Sequence, residues 1–119
     1  VLGEVFKKAL GDKKGIRRVA SLVWPFEGNR VEMALDLSGR GYSDFEGGDI
    51  KDPKLYEMVR HVLMSLTNQG GIDLYTRAYG WSDHHMVESV GKALGRLIYD
   101  ATRRLEDYTE VPSTKGKLD

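Results

Sequence analysis

Cysteine is missing from all 119 residues. That excludes a disulfide framework, a thiolate metal site and a cysteine nucleophile, and it fits a reducing compartment. An excess of either charge is missing too, with 18 basic against 18 acidic residues. No global basic field therefore recruits nucleic acid. No apolar run approaches the ~18 residues of a membrane span, and no signal-peptide pattern is visible. Histidine is scarce: His61, His84 and His85 are all there is. The chain also lacks an initiator methionine. It opens on VLGEVFKKAL, with no residue ahead to cap a helix, and is expected to begin inside an element. What remains is 40% apolar and 30% charged, the composition of one globular domain with a single core.

Two of the three histidines stand side by side in WSDHHMVESVGKALGRL, residues 81–97, and the rest of the chain is read around that stretch. At about 100° per residue, Val87, Val90, Leu94, Leu97, Ile98 and Ala101 form one buried stripe. His84, His85, Glu88 and Lys92 fall on the opposite side. His84 and Glu88 are i and i+4, so an imidazole nitrogen and a carboxylate oxygen can reach one cation. His85 points about 100° away and should serve another ligand. Asp83 occupies the place of an N-cap, which puts both histidines in the first turn. That is the positive end of the helix dipole, so the carboxylate must carry the electrostatics of any cation there. The plainer alternative is a solvated face, with Glu88 and Lys92 as an ordinary helical ion pair.

Elsewhere the periodicities alternate between sheet and helix. Residues 1–10 read as a helix end closed by Gly11 and Asp12. A basic patch follows: Lys13, Lys14, Arg17 and Arg18. Val19 to Trp24 is strand-like, with Pro25 as its stop. After a Gly28-Asn29 turn, Val31, Met33, Leu35 and Leu37 alternate with polar residues as a half-buried strand. Tyr42 to Phe45 makes a short third strand at most. From Pro53, a helical stripe runs through Leu55, Met58, Val59, Val62, Leu63 and Leu66. His61 sits on its flank, where it can look sideways into a site. Gly70 and Gly71 end that helix, residues 72–79 alternate as another strand, and the last helix is expected to reach about Arg104. The remaining tail is polar. This order implies an α+β, two-layer sandwich: a mostly antiparallel sheet of about four strands with two helices on one face.

Five separated motifs, ALGDKKGIRR, DLSGR, MVRHVLMSL, DHHMVESVGKALGRL and VPSTKGKL, stand in the order and near the spacing of one family. The chain resembles the C-terminal part of the imidazoleglycerol-phosphate dehydratases. The resemblance implies one repeat of a duplicated fold: residues 1–12 end the helix of a first half, 13–108 form the second α+β repeat, and 109–119 form a substrate-phosphate tail. It implies two manganese ions per site, with His61, His84, His85 and Glu88 as metal ligands and His84, His85 and Glu88 as the catalytic set. Those three, with Lys92, also face the substrate, imidazole glycerol phosphate. Arg18, Arg40, Ser113, Thr114 and Lys115 correspond to the residues that bind its phosphate, where arginine forks suit a bidentate anion.

The expected activity is a cytoplasmic hydro-lyase step of histidine biosynthesis that yields imidazole acetol phosphate. The expected partners are further copies of the chain, as trimers building a shell of twenty-four subunits, and a first half that completes the ligand sets. Without it, the isolated chain is expected to be inactive. Two departures from the family pattern stand out: Glu27-Gly28-Asn29 replaces an acidic Asp-Glu-Ala-like stretch, and Arg60 precedes His61 where glutamate is frequent. The competing readings are a metal-binding, oligomerising half-repeat without catalysis and, behind it, a nucleic-acid-binding α+β module. A metalloprotease helix is disfavoured, since its two histidines would be i and i+4.

Overall fold

A computed structural model describes residues 1–13 and 15–105. Its elements are α1 (Leu2–Leu10), β1 (Val19–Phe26), β2 (Asn29–Asp36), β3 (Tyr42–Glu46), α2 (Pro53–Gly70), β4 (Asp73–Tyr79) and α3 (Asp83–Ala101). The sheet order is β1-β2-β4-β3. β1 with β2 and β2 with β4 are antiparallel, whereas β3 runs parallel to β4. A parallel neighbour needs a crossover, and α2 supplies it. The expected α+β sheet of four strands is therefore what forms, with one parallel edge.

Alternation decides which face is covered. Val31, Met33, Leu35, Leu74 and Ala78 are nearly inaccessible and share one side with Phe45. α2 and α3 lie on that side, and α1 packs on α2. Burying a leucine or methionine side chain of this kind is worth about 1.5–3 kcal/mol, so this single core carries the fold. The other sheet face, with Val23 and Tyr75, is uncovered. Among the described residues no helix is long and apolar enough to cross a membrane.

Four local expectations need correcting. Pro25 does not stop β1: it pairs with Arg30, and proline is tolerated because β1 is an edge strand. In α2, Met58 and Val62 are more than half exposed, and Thr67 and Gly70 are buried instead. It is Gly3 of α1 that the α1–α2 contact requires: a Cβ there would lie 2.7–2.8 Å from Gln69 Cβ, Gly70 N and Leu66 O, so α1 approaches α2 too closely for a side chain at that point. In α3 the sheet-facing line is Met86, Ser89, Val90, Ala93, Leu97 and Ala101. Val87, Leu94 and Ile98 are displaced to its flank, since a helix lying close on a sheet puts its small residues inward. Finally, α3 stops at Ala101, not Arg104. There the chain turns to pair with residues 15–18, with Leu105 N donating to Gly15 O at 2.6 Å and Ile16 bridging Arg104.

Candidate active site

The histidine pair opens α3, but the cap is one residue earlier than the sequence suggests. Ser82, in an extended conformation, accepts a hydrogen bond from His85 N at 3.3 Å. Asp83 is already helical and serves another purpose. Its two carboxylate oxygens accept from Lys51 N (2.9 Å) and Asp52 N (3.0 Å), clamping the start of α2 beside the start of α3. Asp52 in turn caps α2. The two helix N-termini are thus tied together by backbone donors that would otherwise lack partners.

His84 and Glu88 meet as the i,i+4 spacing requires, with Nε2 3.5 Å from Oε1. Lys92 closes the row, its Nζ 3.1 Å from the other oxygen of Glu88. The Lys92 hydrogen bond, and after it the charges of Lys92 and the two histidines, hold the Glu88 carboxyl below its ordinary range against the opposing effect of burial. Glu88 is therefore a carboxylate, the form a metal or a proton requires. His84 is 83% exposed. It borders, with Glu88, an open groove of about 440 Å³ lined also by Asp52, Leu55, Asp83 and Val87.

His85 differs from the expected exposed histidine. It is half-buried, stacked on Phe26 with ring centroids 4.6 Å apart at 26° and met edge-on by Trp81 at 5.8 Å and 87°. Its Nδ1 is buried without a hydrogen-bond partner among the described residues. The ring lies 5.5 Å from that of His84, tilted by 58°, so the pair offers two differently directed imidazoles.

The remaining candidates lie elsewhere. His61 is exposed on α2 and lines a separate groove of about 230 Å³ with Val1, Leu2, Gly3, Val62, Ser65, Leu66 and Gln69. Among the described residues no group of three His, Asp or Glu side chains is gathered as a metal site. Arg18 immediately precedes β1 at the far end of the sheet. Its Nε donates to Asp36 Oδ1 at 2.6 Å and its Nη2 to Asp36 Oδ2 at 3.1 Å, an ion pair that raises its pKa. Arg40 belongs to the same end: Leu37 N donates to Arg18 O, and Ser38 Oγ accepts from Arg40 N. Lys13, read as part of a basic patch, is buried. Ser113, Thr114 and Lys115 lie outside the described residues.

Seven steps of strand separate Val19, the residue after Arg18, from Phe26, which stacks on His85; at about 3.3 Å per step that is about 23 Å. The arginine and histidine ends of this chain are far apart.

The profile of the imidazoleglycerol-phosphate dehydratases matches residues 1–98. The chain belongs to this family. It is 40% identical over 121 residues to the imidazoleglycerol-phosphate dehydratase of Methanospirillum hungatei JF-1, covering 99% of this chain and 63% of that protein. It is 44% identical over 122 residues to the enzyme of that name from Clostridium botulinum strain Hall, covering 99% and 62%. The chain thus spans less than two thirds of the length of these curated relatives. Its fold matches the crystal structure of the Pyrococcus furiosus dehydratase in complex with (S)-C348, at a TM-score of 0.79 and 25% identity, over 98% of this chain and 65% of that one. The Staphylococcus aureus N315 dehydratase, 20% identical over 88% of this chain and 64% of its own, shares the fold at a TM-score of 0.76.

Three residues of the histidine end escape a reading by motif: Phe26, Asn29 and Trp81. Gly28-Asn29 signals only a turn, and nothing local tells that this turn lies against residues 80–82. An asparagine whose amide oxygen accepts from backbone donors 52 and 53 positions away is a tertiary fact.

Proposed function

We propose that the chain contributes to a manganese-dependent site that removes water from imidazole glycerol phosphate, giving imidazole acetol phosphate, in the cytoplasmic pathway to histidine. What carries the reading is the pair of differently directed imidazoles on the first turn of α3, one beside the Glu88 carboxylate and one between two aromatic rings, in a chain of this family. The donor set fits the ion. Imidazoles and a carboxylate without thiolate suit a divalent metal such as manganese. The buried, unpartnered Nδ1 of His85 is an atom that ordinarily has a partner. His84 with Glu88, and His85 separately, would hold the ions, with His61 entering from its own groove.

When bound, manganese would supply Lewis acidity that favours loss of a proton from the substrate's ring, and the electron pair left on the ring would push out the hydroxide, which departs with the electrons of the C–O bond. The chain's part is to place and charge the groups around that event. Lys92 keeps Glu88 anionic and stands beside the substrate. Phe26 and Trp81 keep His85 in one plane. Arg18, its fork oriented by Asp36, takes the phosphate together with Arg40, Ser113, Thr114 and Lys115.

A glycerol phosphate chain cannot span the roughly 23 Å of strand between the two ends. We therefore assign the histidines and the arginines of one chain to different sites, each completed by another copy and by the part of the family protein that this chain does not cover. Alone, the chain is inactive. A dehydration assay tests this, with the chain alone and then combined with the uncovered segment of a matched relative. We expect no turnover by the chain alone, and manganese-stimulated turnover on completion that Glu88→Ala abolishes. Turnover by a monomeric chain would overturn the shared site. Retained manganese binding without turnover in the completed assembly would favour a metal-binding half-repeat without catalysis.

A further inference from the structure

The side chain of Asn29 joins the turn between β1 and β2 to the start of α3. Asn29 is 2% exposed. Its Oδ1 accepts from Trp81 N and Ser82 N, each at 3.0 Å. Its Nδ2 donates to Phe26 O at 3.0 Å and Glu27 O at 3.3 Å. Two donors on one side and two acceptors on the other leave only one orientation of the amide that satisfies all four groups. The indole Nε1 of Trp81 adds a second tie across the same gap, donating to Glu27 O at 2.9 Å.

The residues tied together are those that hold His85. Phe26 supplies the stacked ring and Trp81 the edge-on ring, while Ser82 accepts from His85 N. One amide thus sets the spacing between the two walls of the cradle and fixes the cap of the helix that carries the imidazole. The fit is tight on the far side as well. Gly80 has φ of 152°, and a Cβ built on it would collide with the Asn29 amide, so the approach of residues 80–82 admits no bulk.

We infer that Asn29 is a positioning residue for His85, locking its ring between Phe26 and Trp81 by joining the β1–β2 turn to the α3 N-terminus. The lock follows from the contacts themselves. Its consequence for metal affinity rests on the function proposed above. Asn29 touches neither ion nor substrate in this account and acts through the two rings and the cap.

The test reads the lock and the affinity separately, on the full chain. In the metal-free protein the stacked Phe26 ring should shift the His85 ring protons in NMR. Asn29→Ala should move these resonances toward ordinary histidine values while those of His61 stay put. Asn29→Asp, which keeps the acceptor but loses the donors, should fall between. Manganese titration followed by EPR should show Asn29→Ala weakening binding by about 10–100-fold, the range for residues that support metal ligands. A folded Asn29→Ala with unchanged His85 resonances overturns the inference, as does an Asp variant no closer to the parent than the Ala variant. If Asn29→Ala does not fold, Trp81→Phe, which keeps a ring and loses the tie to Glu27, decides the matter. Displaced His85 resonances support the lock and unchanged ones overturn it. Should the parent chain bind no manganese, the metal role of His85 fails while the resonances still judge the lock.

Discussion

The two ends of the sheet are held by different chemistry. At the arginine end, backbone meets backbone: Arg17 N donates to Arg103 O, Arg18 N to Ala101 O and Leu37 N to Arg18 O, with one part-buried ion pair, Arg18 to Asp36, laid over them. At the histidine end, side chains do the joining. Asn29, Asp83 and Ser82 accept from backbone donors, and three rings pack around one another. A backbone ladder tolerates sequence change because every residue supplies the same donor and acceptor. A side-chain junction does not, since each role needs one residue type. The histidine end should therefore be the more easily damaged by single substitutions, and damage there should stay local.

The largest effect should come from a change that respects neither end. Leu97 is fully buried on α3, the helix that runs from one end to the other. Leu97→Ala is expected to lower stability by about 2–5 kcal/mol, measured by urea denaturation. Both ends should melt in one transition; two separate transitions would show that the ends are independent units and break the comparison.

Asp36→Ala probes the arginine end alone. Its carboxylate and the Arg18 guanidinium are both less than a third exposed, between the regimes of surface and buried pairs, so a loss of about 1–2 kcal/mol is expected. The loss should shrink in high salt, and His85 resonances should not move. Ser82→Ala is the matching change at the histidine end. It should lower stability by about 1 kcal/mol through loss of the α3 cap, with little salt dependence, and it should displace His85. A Ser82→Ala variant in which the His85 resonances stay put would mean the cap does not position the ring.

This contrast also explains what could be read in advance. Strand β2 was legible because a half-buried strand writes its burial as strict alternation. The His84–Glu88 contact was legible because it needs only helix geometry. The inward line of α3 was misread because Ser89 and Ala93, fully buried, carry no hydrophobic signal; close approach to the sheet selects them. Asp83 was taken for the cap because either Ser82 or Asp83 has the chemistry, and only the clamp onto Lys51 and Asp52 decides between them. The cradle of His85 was invisible because Phe26 looks like any strand aromatic until the fold places it beside α3. Local periodicity reveals elements and their intra-helical pairs, whereas the junctions at the histidine end are written in residues whose partners lie more than 30 positions away.

The smallest effect sharpens the electrostatics of the histidine end. Glu88 is held below its ordinary value chiefly by the Lys92 hydrogen bond. A carboxyl depressed in the folded state contributes stability that is present above its unfolded pKa and fades as pH falls through the folded one. Lys92→Met should raise the Glu88 midpoint toward the ordinary carboxyl range, read from its side-chain carbon resonance in NMR, so that the carboxylate is lost at a higher pH. The shift should be incomplete, because the charges of His84 and His85 also favour the anion. Lys92 also stands over the Phe26 ring, 5.2 Å from its centroid. Losing it therefore removes one contact from the wall that His85 leans on. If the Glu88 midpoint does not move in Lys92→Met, the lysine is only a solvated neighbour. Charge at this end would then be set by the histidines, and the plain surface ion pair would be the right reading of that contact.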